Sequence, residues 1–157
     1  MKKGFTLIEL MMVMVVMALI ATLATGAAMK SIRQAKEQRI NATRVALEMA
    51  LTTYRAEVES WPLALEPKGD ATTVEFRETN GKVFGPLIEN PKKCYVDPSS
   101  LLTKVSGFGV ISLREAMERK LSPESCSIGY PDPEKSNTFT FYKVTFNLTT
   151  DMVKVDR

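Results

Sequence analysis

Residues 1–30 read MKKGFTLIELMMVMVVMALIATLATGAAMK, and the rest of the reading turns on this stretch. Lys2 and Lys3 precede an apolar run, the layout shared by export signals and membrane anchors. From Leu10 to Met29 there are 20 residues without a charge, about the length that crosses a hydrocarbon core as a helix. A secretory signal holds only about 7–15 apolar residues before its cleavage site, so length favours an anchor. The small residues Ala24 to Ala28 still offer a site to a conventional signal peptidase. Glu9 departs from both patterns. A carboxylate in an apolar helix is costly and should have a partner. Lys2 and Lys3 are the nearest cations; a cut between Gly4 and Phe5 would create a closer one, the new α-amino group, in the same chain or in a packed neighbour. The alternative is that Glu9 sits at headgroup level and reaches for water.

The stretch Lys3-Gly4-Phe5-Thr6-Leu7-Ile8-Glu9-Leu10 resembles the processing motif of type IV pilins and type II secretion pseudopilins. The resemblance implies a four-residue leader ending at Gly4, cleavage by a prepilin peptidase between Gly4 and Phe5, and N-methylation of Phe5. It also implies Phe5, Thr6 and Glu9 as assembly residues, with the Glu9 carboxylate meeting the terminal amine of an adjacent subunit. A small Gly before the cut lets a peptidase approach the backbone closely. Many family members carry a proline partway along the membrane helix, where this chain has Gly26. Gly26 either loosens the helix locally or, with Ala27 and Ala28, allows close packing of a neighbouring helix.

Helical periodicity continues beyond the apolar run. Ile40, Leu47, Leu51, Tyr54, Val58 and Trp61 recur at spacings compatible with 3.6 residues per turn. Pro62 ends the run. A helix from Phe5 to about Ser60 would be about 84 Å long, its second half burying Leu47, Leu51, Tyr54 and Val58 against a head. The Trp61-Pro62 break also resembles the family. All eight prolines lie at or after residue 62, which marks the change from helix to head. Residues 63–71 read as loop, and Val74 and Phe76 alternate as a strand. Asn80-Gly81 signals a hairpin turn with Lys82-Val83-Phe84 as the return strand. Residues 86–103 read mostly as loop. Ser112 and Glu115 form a capping box for a short helix presenting Leu113, Ala116, Met117 and Leu121 on one face. Tyr142, Val144, Phe146 and Leu148 alternate as a strand, and Val153 and Val155 mark a last one. The expected fold is α+β and pilin-like, a long N-terminal helix packed by its second half on a small antiparallel sheet. Its segments are a leader 1–4, a transmembrane or filament-core helix 5–29, a continuing helix 30–61 and a head 62–157.

The 157 residues suit one modest domain. With no histidine, imidazole catalysis, Ser/His or Cys/His nucleophilic pairs and His-ligated zinc are excluded. There is no Walker loop, dinucleotide fingerprint, Cys-x-x-Cys or EF-hand pattern, so no enzyme and no cofactor is expected. Residues 61–157 carry 13 basic and 13 acidic side chains, a balance that argues against nucleic acid as a partner. The excess of +3 lies towards the front, in Lys2, Lys3, Lys30, Arg33, Lys36, Arg39 and Arg44, where cations suit lipid headgroups or neighbouring subunits. Some pseudopilins hold calcium in a head loop, but Asp132 and Glu134 alone fall short of the six or more oxygens calcium takes. Cys94 and Cys126 bracket the capped helix; an exported head would bridge them by default, contributing about 3–4 kcal/mol. This also resembles the disulfide-bounded region of many pilins, although 31 residues follow Cys126. Two free thiols in a cytosolic chain are the competing reading.

The expected function is therefore that of a structural subunit of a type IV pilus or type II secretion pseudopilus. By resemblance its partners are sister pilins, prepilin peptidase, and an assembly ATPase with its inner-membrane platform. The chain would sit in the inner membrane with its head outside the cytoplasm, then move into a pilus or periplasmic pseudopilus. The alternative is a membrane-anchored or secreted ligand-binding module with a pilin-like N-terminus.

Overall fold

The computed structural model describes residues 6–63, 72–135 and 137–157, with the backbone alone at 23–25 and 27. The leader 1–4, Phe5 and nearly all of the expected loop 63–71 lie outside the described residues. The chain divides into two compact units, Met1–Gln38 and Arg39–Arg157. Helix α1, Leu7–Val58, contributes to both. Its end comes slightly before the expected Pro62: Glu59 adopts a left-handed φ of 58°, and its N–H donates to the Arg55 carbonyl at 3.0 Å. The Arg55 guanidinium in turn donates to the Glu59 carbonyl, so the last turn is closed by its own residues.

Among its described residues the second unit holds seven strands in two antiparallel sheets. One has the order β1-β6-β7, built from Thr73–Phe76, Lys143–Asn147 and Met152–Asp156. The other has the order β3-β2-β4-β5, from Gly109–Ser112, Leu102–Val105, Ile128–Pro131 and Phe139–Phe141. Tyr142 stands between β5 and β6, where the chain passes from one sheet to the other. Helices α2 (Gly81–Ile88) and α3 (Leu113–Glu118) complete the unit. The alternation expected at the end of the chain is present in part: Val144 and Phe146 on β6 and Val153 and Val155 on β7 are buried, with Phe146 opposite Val153 and Val144 opposite Val155, whereas Leu148 lies beyond the strand in the β6–β7 turn. Ile40, Leu47, Ala50, Leu51 and Tyr54 supply the core stripe of α1. Val58, expected in that stripe, is 40% exposed, because α1 ends at that residue.

Two clusters fasten the last turns of α1. Asp151, in the β6–β7 turn, accepts from Trp61 Nε1 at 2.8 Å and from Arg55 Nη2 at 3.0 Å, and both donors hold its carboxyl below the usual range. Trp61 packs edge-on to Phe146 at 5.0 Å. Glu57 meets Lys93 Nζ at 2.8 Å and accepts from the Tyr95 hydroxyl at 2.8 Å. Further along, Arg44 donates to the Val155 carbonyl at 3.0 Å, and Glu48 accepts from the Val155 N–H at 3.4 Å. These side chains occupy backbone groups on the outer edge of β7, which among the described residues pairs only with β6.

Asn80-Gly81 is not a hairpin turn, and Lys82-Val83-Phe84 is not a strand; Gly81 opens α2, which runs to Ile88. The Asn80 side chain is fully buried. Its Nδ2 donates to the carbonyls of Ile128 and Tyr142, both at 2.7 Å, and its Oδ1 accepts from the Ile128 N–H at 2.7 Å. The amide thus ties the start of β4 to the crossing point between sheets. Gly81 is needed for close approach, since a Cβ there would collide with the Cys126 carbonyl oxygen. The region expected to be mostly loop, 86–103, contains the end of α2, a 3-10 turn at Pro98–Ser100 and the start of β2. The capping box at α3 holds by one bond, Ser112 Oγ accepting from the Glu115 N–H at 3.2 Å; the Glu115 carboxylate pairs instead with Arg119 at 2.7 Å.

Replacing Asn80 with Ala takes this partner from the Ile128 N–H and the Tyr142 carbonyl, at about 1–3 kcal/mol for each buried group left unmet, and leaves the Ile128 carbonyl with the Tyr142 N–H at 3.1 Å. Asn80→Ala should destabilise the chain by roughly 3 kcal/mol or more, read by denaturant unfolding with Trp61, the sole tryptophan, as reporter. The Tyr142 hydroxyl, nearly fully buried, donates to the Ile40 carbonyl at 3.2 Å, and burial pushes its pKa up to about 12. The folded chain therefore keeps a proton that the unfolded chain loses near pH 10. Its contribution is complete below pH 10 and lost as pH rises through 12. Tyr142→Phe should lower stability at neutral pH by about 1 kcal/mol, while flattening the fall between pH 10 and 12 in the same unfolding measurement.

Candidate functional site

The first turn of α1 carries a reciprocal arrangement around Thr6 and Glu9. Glu9 Oε2 accepts from the Thr6 N–H at 2.9 Å and from Thr6 Oγ1 at 2.8 Å. The Glu9 N–H approaches Thr6 Oγ1 at 3.4 Å and donates to the Thr6 carbonyl at 3.1 Å. This is a capping box, in which a Thr before the first helical residue and a Glu three positions on satisfy each other's backbone donors. A carboxylate there also lies at the positive end of the helix dipole. Both bonds fall on Oε2; among the described residues, Oε1 accepts none. The partner of Glu9 within the described residues is thus a hydroxyl and a backbone N–H instead of the expected cation, and Thr6-Leu7-Ile8-Glu9 carries the sequence pattern of such a box. Gly4, Phe5, Lys2 and Lys3 lie outside the described residues.

Beyond the cap, α1 is apolar on every side. Leu7 and Ile8 are 80% and 74% exposed, and Leu10 to Val16 are all at least half exposed. Consecutive positions point all around a helix, so no single face is reserved for one partner. A helix hydrophobic all round belongs inside protein or lipid. Among the described residues no helix is long and apolar enough to cross a membrane; the described side chains of the run are continuous only from Leu10 to Thr22. At Gly26 the helix continues without interruption, and a Cβ would meet nothing within 4 Å. No break in the helix marks that position.

The other expected sites are placed as follows. Cys94 and Cys126 are not bridged: both are free thiols, Cys94 exposed and Cys126 buried. Cys94 Sγ is turned to the Val96 carbonyl at 3.0 Å, while Cys126 lies in the core beside Gly81. Asp132 Oδ1 accepts from the N–H groups of Glu134 and Lys135, at 2.8 and 3.2 Å, so its carboxylate shapes the β4–β5 turn. Among the described residues, no group of three or more His, Cys, Asp or Glu is arranged to hold a metal. A groove of about 410 Å³ is lined by Arg44, Glu48, Thr73, Asn147, Met152 and Lys154, among others. Its Arg44 and Glu48 are engaged on Val155, as described.

Residues 1–25 match the family model described as the prokaryotic N-terminal methylation motif, the hallmark of type IV pilin and pseudopilin prepilins. That match supports a pilin-like prepilin and points to a structural subunit rather than an enzyme. The α+β layout, a long N-terminal helix followed by a small antiparallel head, agrees with it. No curated protein and no solved structure matches the chain.

If Thr6 and Glu9 cap the helix as described, Thr6→Ala should speed amide exchange at Glu9 and Leu10 roughly fivefold, the effect of losing about 1 kcal/mol of cap. Exchange at Leu47 and Leu51 should be unchanged.

Proposed function

We propose that the chain is a structural subunit of a type IV pilus or type II secretion pseudopilus, made as a prepilin. In this reading a prepilin peptidase removes residues 1–4, cutting between Gly4 and Phe5, and Phe5 is N-methylated. Residues 5–29 hold the subunit in the inner membrane, with its head outside the cytoplasm. An assembly ATPase and its membrane platform then pass the subunit into a pilus or periplasmic pseudopilus, where sister subunits cover the same helix. The chemistry is assembly, without turnover.

The observation that carries the reading is an exposed, all-round apolar helix that begins at a capped carboxylate. Such a surface needs a non-aqueous cover. The 20 uncharged residues from Leu10 to Met29 suit lipid before assembly and packed helices after it. The capping box holds Glu9 at the start of the helix with Oε1 free of a partner among the described residues. That oxygen can accept an incoming cation, and the amine created at Phe5 of a neighbour is the partner this reading assigns. Neutralising a carboxylate already within an apolar helix offsets its desolvation.

Co-expression of the full chain with a prepilin peptidase, followed by intact-mass and N-terminal analysis, tests the proposal. A mature chain beginning at N-methylated Phe5 is expected. A cut near Ala28, or no cut at all, would overturn it. Glu9→Leu should leave membrane insertion intact while abolishing or strongly reducing incorporation into filaments; normal incorporation would remove Glu9 from the assembly contact.

A further inference from the structure

The first charges after the apolar run are Lys30, Arg33 and Lys36, at successive i, i+3 positions of α1. All three side chains are exposed. None has an ion-pair partner among the described residues, and Arg33 and Glu37, although spaced i, i+4, do not pair. From Lys30 to Lys36 the helix rises about 9 Å, and the three side chains fan over roughly 120° of its surface. That rise is close to the thickness of one headgroup layer, roughly 5–8 Å. Between the cations lie Met29 and Ile32, 65% and 56% exposed. Alternation of bare apolar side chains with unpaired cations gives this stretch the character of an interface between hydrocarbon and phosphate. Lys and Arg serve such an interface well, laying their stems along apolar surface while the charge reaches out.

We propose that Lys30, Arg33 and Lys36 form a collar that binds the phosphates of anionic phospholipids at the membrane surface beside the apolar run. The inference rests on the reading that residues 5–29 enter lipid, and it adds a headgroup class that the apolar run cannot select. Met29 and Ile32 occupy the acyl boundary while the three cations take up headgroup phosphates. With Glu37 subtracting one charge and Arg39 restoring it, the collar should prefer anionic over zwitterionic lipid severalfold. The preference should fall towards unity near 1 M salt, where the screening length is about 3 Å.

The test is native mass spectrometry of the full chain in a mild non-ionic detergent, offered equal amounts of phosphatidylglycerol and phosphatidylcholine with identical acyl chains. The wild type should retain the phosphatidylglycerol preferentially at low ionic strength and lose that preference at high salt. Lys30→Gln, Arg33→Gln and Lys36→Gln together should bring retention of the two lipids to parity. The charge-preserving set Lys30→Arg, Arg33→Lys and Lys36→Arg should keep the preference. Parity in the wild type, or a preference that survives the triple Gln change, would overturn the collar while leaving the apolar run as a lipid-binding helix. A chain that retains neither lipid would overturn the collar and the membrane reading together.

Discussion

The head depends on one buried amide. Two small sheets meet at Tyr142, whose N–H still reaches the Ile128 carbonyl at 3.1 Å, while the Ile128 N–H and the Tyr142 carbonyl turn to a side chain. Asn80 supplies two donors and one acceptor at that place, to Ile128 and Tyr142. No apolar residue could do so, and Asp would lack the donors. Tyr142 then carries the constraint onward, its ring in the core and its hydroxyl on the Ile40 carbonyl of α1. The order of the two sheets and the docking of the helix stripe are thereby linked through two polar side chains inside an apolar core. A fully satisfied buried network specifies its arrangement more narrowly than apolar packing alone.

Helix α1 meets two different demands along its length. Over 40–54 its apolar residues are confined to a stripe, with Leu47 and Leu51 fully buried. Over residues 10–20 the same helix is apolar on all sides and exposed. Charge follows the same division. Arg44, Glu48, Arg55 and Glu57 are engaged with the head, whereas among the described residues Lys30, Arg33 and Lys36 have no ion-pair partners.

The contrast between Glu9 and Asn80 shows which kinds of signal sequence reading can use. The Thr6–Glu9 box is legible in the sequence, because both partners lie within one helical turn and Thr-x-x-Glu is the pattern of such a cap. The Ser112–Glu115 cap was legible for the same local reason. Asn80-Gly81 misled because the pair is favoured in tight hairpins for its tolerance of positive φ. Here Asn80 has φ −64°, and its value lies in contacts 48 and 62 residues away. Strand β1 is as short as β2 to β5 but alternates exposed and half-buried positions, whereas β4 buries three residues in succession and β5 half-buries all three of its own, which leaves no period of two to read. The free thiols differ from the expected bridge because one Cys is turned to its own loop and the other is enclosed by the core.

By itself the sequence determined the features that act over a few residues or one helical period. These are the uncharged run after Glu9, the processing motif, the α1 stripe and the final alternating strands, since side-chain spacing alone selects a helix face or a strand face. Tertiary structure decided where the chain changes sheets, which polar side chains close the seam, how Asp151 and Glu57 fasten the end of α1, and whether the two cysteines meet. Those outcomes rest on hydrogen bonds and close approaches between residues distant in the chain. Their partners leave no periodic trace in the sequence and become neighbours only when the core forms.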